Sequence, residues 1–133
     1  MNVVVDTNVL VSAIFFSGTP GKILSAWRSG RITLIVSPLI LHEYRRVASE
    51  LSLKFKSVEI APILDLITIH SEIVGDQTLS SPICRDADDD KFLACAAASR
   101  AVLVSGDKDL LAVDGALGVH VLTPRALITL LDR

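Results

Sequence analysis

The stretch from Arg85 to Ala98, RDADDDKFLACAAA, sets four aspartates, Asp86, Asp88, Asp89 and Asp90, close together and then turns apolar and alanine-rich. A turn feeding a helix uses one or two such carboxylates to cap orphan amides and to suit the macrodipole. Four neighbouring carboxylates repel one another, and a nearby cation accounts for the surplus. A solvated acidic loop with an ordinary cap accounts for the same letters, so the decision rests on acids elsewhere. Asp6 closes the β-branched run of Val3, Val4 and Val5. Asp107 follows Ala101–Val104 across Ser105-Gly106, and Glu43 interrupts an apolar pattern made with Leu39 and Val47. A Glu on such a stripe wants a cation or a hydrogen-bond network, or else pairs at the stripe's edge with Arg46 or another neighbour.

If Asp6, Glu43, Asp90 and Asp107 meet, they form an oxygen-only ligand set suited to Mg²⁺ or Mn²⁺. Zinc is not indicated, because Cys84, Cys95 and the histidines are wrongly spaced for it. Such an ion binds phosphate oxygens, lowers the pKa of an attacking water and stabilises a leaving oxygen. From the residues alone, the chain is a metal-assisted phosphoester enzyme or a metal-binding module.

The elements that must position these acids follow from hydrophobic patterning. Val3–Val5 is a buried strand, and Thr7-Asn8 offers cap chemistry for a helix carrying Val9, Leu10, Ala13 and Ile14. Residues 17–21 form a loop before a short helix marked by Ile23, Leu24 and Trp27. Ile32–Val36 is a second buried strand, and Ser37-Pro38 starts the helix that carries Glu43. Leu53–His70 is mostly helical by pattern, with Ser57 a cap and Pro62 an awkward interior residue. A short strand over residues 69–74 and a polar loop precede the aspartates. Then come a helix over residues 90–99, a strand over 101–104, a helical turn at 108–113, a strand over 119–122 and a terminal helix from Thr123-Pro124. Strands alternating with helices over short crossovers imply an α/β fold with a mainly parallel central sheet.

The chain has 133 residues, read as a single domain spanning residues 1–133, and half of them are hydrophobic, which favours a sheet buried on both faces. The net charge of −2 gives no global basic field. Contact with a polyanion then falls to local groups such as Lys22, Arg85, Lys91 or Lys108. The two cysteines fit reduced cytosolic thiols, and no apolar run is long enough to span a bilayer. The expected location is cytoplasmic, with no membrane partner.

Four short motifs, in order, resemble the PIN-domain ribonucleases, and in particular the VapC-like toxins of type II toxin–antitoxin pairs. VVVDTNVLVSA at residues 3–13 is similar to the family's opening strand and helix, and brings Asp6 to the place of its first acid. SPLILHEY brings Glu43, DKFLACAAA brings Asp90, and LVSGDKDLL brings Asp107. The resemblance implies a three-layer α/β/α sandwich and Mg²⁺- or Mn²⁺-dependent cleavage of RNA, with these four residues holding the metal. It places Asn8 and Ser105 as polar supports around the ligands, with Asp86, Asp88 and Asp109 as further candidates for that role. Ser105-Gly106 departs from the Thr-Arg pair common in the family's last motif. An antitoxin partner and a homodimer are implied in the same way. Two alternatives stand beside the toxin: a stand-alone PIN nuclease of RNA processing, and a Mg²⁺-dependent phosphotransfer domain of receiver or haloacid-dehalogenase type. Against the last, Asn8 occupies the position where a second Asp is needed.

Overall fold

The computed structural model describes residues 1–133. Five parallel strands form one sheet in the order β3-β2-β1-β4-β5: β1 (Asn2–Val5), β2 (Thr33–Val36), β3 (Glu72–Ile73), β4 (Val102–Val104) and β5 (Val121–Leu122). Seven helices flank it: α1 (Thr7–Phe15), α2 (Gly18–Arg28), α3 (Pro38–Ser52), α4 (Ala61–His70), α5 (Asp90–Ser99), α6 (Lys108–Leu111) and α7 (Pro124–Leu131). This is the expected α/β/α sandwich with a parallel sheet. No single helix is long and apolar enough to cross a membrane.

The central strands are buried because both faces are covered. Val3, Val4, Val5, Leu34, Ile35, Val36, Leu103 and Val104 are all essentially inaccessible. α5 lies along β1, β2 and β4 through Phe92, Leu93 and Cys95, and its alanines allow close approach to the sheet. On α3 the buried stripe is Ile40, Tyr44 and Ala48. Leu39 is exposed, so Glu43 sits on the flank of that stripe and not at its centre.

Strand order reverses at β1. From it the chain moves outward through β2 to β3, and later returns to add β4 and β5 on the other side. Such a switch point opens a crevice at the carboxyl ends of the strands. The β1–β4 register pairs Val5 with Val104, which brings the next residues, Asp6 and Ser105, side by side at that crevice.

Several elements differ from expectation. Residues 53–60 form turns in place of helix, and α4 begins at Ala61 with Ile60, not Ser57, at its cap. Pro62 thereby falls in the first turn, where its missing N–H has no partner to lose. α2 starts at Gly18, inside the expected loop, with Pro20 likewise in its first turn. β3 and β5 shorten to two residues each.

Candidate active site

Asp6 stands between β1 and α1. Its N–H donates to Val104 O at 2.9 Å and its carbonyl accepts from the Val9 and Leu10 amides, which fixes the backbone. The side chain is 6% exposed, and Oδ2 accepts a 2.7 Å hydrogen bond from the Ser105 hydroxyl. Ser105 Oγ in turn accepts from the Asp107 N–H at 3.0 Å, so one wholly buried serine ties the two strand-end acids into one network. Asp107 caps α6, its Oδ1 accepting from the Asp109 N–H at 3.1 Å. Asp109 itself lies outward, 3.8 Å from the exposed Arg85 guanidinium. Asn8 is exposed, and buried Thr7 beside it is the group turned inward.

Glu43 reaches this edge from α3. Thr7 Oγ1 donates to Glu43 Oε2, and Lys91 Nζ pairs with Glu43 Oε1 at 2.7 Å. Both ends of that ion pair are mostly buried, with 13% and 14% of the side chains exposed. Arg46, the sequence-local partner, pairs with Glu50. One position beyond Glu43, the buried Tyr44 hydroxyl donates to Val5 O, pinning α3 to the end of β1.

The acidic loop divides its labour. A 3₁₀ turn spans Ala87–Asp89, capped by Asp86, whose Oδ1 accepts from the Asp88 N–H at 3.0 Å. Asp88 is exposed and pairs with Lys91 at 3.1 Å. Asp90 opens α5, but its carboxylate accepts from the Cys84 N–H at 2.8 Å and thus folds back on its own loop. Asp89, absent from the sequence-derived ligand set, is the loop residue that feels the charges of Asp6, Asp107 and Glu43.

Electrostatics report this crowding. Burial pushes the Asp6 carboxyl above the ordinary carboxylate range; the Ser105 hydroxyl and the Thr7 amide oppose that, while Glu43 and Asp107 add to it. Asp89 is pushed up to about 6, first by burial and then by the charges of Asp6, Asp86, Asp107 and Glu43. Asp88 is held below the usual range, chiefly by its hydrogen bond with Lys91. Burial depresses the Lys91 ammonium, and the bonds to Glu43 and Asp88 outweigh it, so its pKa rises.

Carboxylate donors of this kind fit a hard divalent ion. As the side chains stand, no three acidic, histidine or cysteine groups converge on one ion position. The acids are close enough to repel, yet several have a protein partner: Asp6 has Ser105, Glu43 has Thr7 and Lys91, and Asp90 has Cys84. Sequence reasoning missed the inward parts of Thr7, Lys91 and Asp89. The only signals were their places beside Asp6 and Asp90.

Comparison with known proteins bears on the family and the fold. A family model described as PIN domain matches residues 2–109. An uncharacterized protein of Methanocaldococcus jannaschii, MJ1680, is 37% identical over 118 residues, covering 85% of this chain and 75% of that protein. Among solved structures, VapBC2 from Rickettsia felis, bound to a DNA fragment from its promoter, contains a chain that superposes with a TM-score of 0.63. The alignment covers 92% of this chain and 98% of that one, at 17% identity, and so speaks to fold. With most of its length matched, from the first strand to the turn after the fourth, the chain belongs to the PIN domain family, a family of nucleases.

Proposed function

We propose that this protein is a metal-dependent endoribonuclease, and that it is the toxin of a toxin–antitoxin pair. The observation that carries the reading is the network Asp6–Ser105–Asp107 at the switch point, with Glu43 near enough to help raise the pKa of both Asp6 and Asp89. Here one serine joins the Asp6 carboxylate to the Asp107 backbone at the edge where α/β folds bind ligands.

In this reading Asp6, Glu43 and Asp107 would hold a Mg²⁺ or Mn²⁺ ion, with Asp89 or Asp90 completing the set. When bound, the ion supplies charge neutralisation at the phosphate and a more acidic attacking water. The rest is done by the chain. Ser105 fixes the Asp6 carboxylate and, through the Asp107 amide, the spacing of the strand-end pair. Thr7 and Tyr44 hold α3 and Glu43 at the mouth of the crevice. Beside Glu43, a hollow of about 280 Å³ is lined by His42, Arg46, Lys91 and the exposed Leu39, among others. Glu43 and Asp88 line it too, and the exposed Arg46 is its basic group of the kind an RNA backbone needs on a chain with no global positive field.

The test is incubation of structured and unstructured RNAs with Mn²⁺, with and without EDTA. The expected result is internal cleavage that EDTA stops and that Asp6→Asn lacks. Cleavage in EDTA, or by Asp6→Asn at full rate, overturns the assignment. The antitoxin half draws its support from the resemblance to VapC-like toxins and from the Rickettsia felis neighbour, VapBC2 bound to a DNA fragment from its promoter. Co-expression with the products of adjacent genes should give a stable, inactive complex. If none binds, the stand-alone nuclease is the better reading.

A further inference from the structure

Lys91 is a cation built into the acidic edge, held there by the acids around it. A lysine with 13% of its side chain exposed is uncommon unless its charge is met. Here all three ammonium protons have an acceptor: Glu43 Oε1 at 2.7 Å, Asp88 Oδ2 at 3.1 Å and Asp88 O at 3.0 Å. Glu43 is equally committed, with one oxygen on Lys91 and the other on Thr7. Two of the three acceptors belong to Asp88, whose side chain is 68% exposed. Lys91 therefore keeps a resting place if it lets go of Glu43.

We infer that Lys91 is an internal counter-ion that occupies Glu43 in the metal-free protein and yields it when a divalent ion loads, so that Lys91 sets how tightly the metal binds. The inference rests on reading this edge as a metal centre. An ammonium and a divalent ion cannot both sit against one carboxylate without strong repulsion in a half-buried site. The exchange explains why acids close enough to repel do not converge on one ion position. Metal entry is coupled to a side-chain movement from Glu43 toward Asp88. Lys91 is in this sense a positioning residue, acting through Glu43.

The experiment is a Mn²⁺ titration of the full chain at neutral pH, reading free Mn²⁺ by electron paramagnetic resonance. Wild type is compared with Lys91→Met, Lys91→Gln and Lys91→Arg. Lys91→Met and Lys91→Gln should bind Mn²⁺ about tenfold more tightly or better, since each removes the competing charge. Lys91→Gln retains a donor for Glu43, so the comparison survives if Lys91→Met does not fold without metal. Lys91→Arg should stay within about threefold of wild type, because it keeps the charge. In a Glu43→Gln background, Lys91→Met should change affinity little. Unchanged or weaker Mn²⁺ binding by the neutral variants overturns the inference and leaves the nuclease reading intact. Loss of RNA binding with unchanged Mn²⁺ affinity also overturns it, and makes Lys91 a phosphate contact. Absence of Mn²⁺ binding in every variant, with RNA still cut in EDTA, overturns both.

Discussion

The Ser105 hydroxyl donates to Asp6 Oδ2 across 2.7 Å, although the two residues are 99 positions apart in the chain. The β1–β4 register makes them neighbours, and both are buried. Removing the hydroxyl leaves a desolvated carboxylate short of a donor, so Ser105→Ala should destabilise the protein by about 1–2 kcal/mol. Urea unfolding measures this. Ser105→Thr, which keeps the hydroxyl, should recover part of the loss.

Asp6→Asn should abolish cleavage while leaving the metal-free melting temperature equal or higher. Burial and the charges of Glu43 and Asp107 already disfavour the ionised form of Asp6. A neutral amide escapes that penalty and can still meet the Ser105 hydroxyl. Parallel melts in EDTA and cleavage assays in Mn²⁺ separate the two effects. A large fall in the melting temperature of the variant would mean that Asp6 serves the fold.

Stability of the metal-free protein should depend on pH through Asp89. Its carboxyl ionises near 3.8 when unfolded and is pushed up to about 6 when folded. Between those values the folded state holds more protons, so stability falls as pH rises from about 4 to 6 and then levels. Asp89→Asn removes that loss. At pH 7 the variant should exceed wild type by about 1 kcal/mol, after discounting for the solvent exposure of the side chain. Below about pH 4 the two should converge. Melts in EDTA across this range check the sign.

Asp90 should behave oppositely. Its carboxylate anchors the loop through the Cys84 amide, and Asp90→Ala should cost about 1–2 kcal/mol. The Cys84 thiol is pushed up to about 12 by burial and by its hydrogen bond with Asp90, and is unreactive for that reason. Loosening the loop should speed its reaction with a thiol reagent, read by absorbance under native conditions. An Asp90→Ala variant as stable as wild type, with Cys84 still protected, would free Asp90 for the metal.

Much of this architecture is legible in the chain because the strands are short, β-branched and punctuated. Val3–Val5 followed by Asp6, and Val102–Val104 followed by Ser105 and Asp107, declare both the sheet and its acidic edge. The Ser37-Pro38 start of α3 is legible for the same local reason. Less readable is which neighbour a side chain finds across the fold. Glu43 pairs with Lys91, 48 positions on, while the nearby Arg46 goes to Glu50. Asp89 and Asp90 are adjacent, but a 3₁₀ turn running into a helix points consecutive side chains in different directions. Only the docking of residues 83–84 decides which faces inward. Residues 53–60 read as helix because their apolar content suits one. Pro62 in a first turn sets the true boundary, and composition alone does not locate that turn.

The sheet order also bears on when activity first exists during synthesis. β1 precedes the partner that completes its acidic edge, β4, by about a hundred residues in the chain. A nascent chain lacking residues 102–107 holds Asp6 without Ser105 and has no Asp107 at all. Such a chain cannot assemble the site until residues 102–107 have been added. A ribosome therefore has to translate through Asp107 before the acidic edge that begins at Asp6 can close.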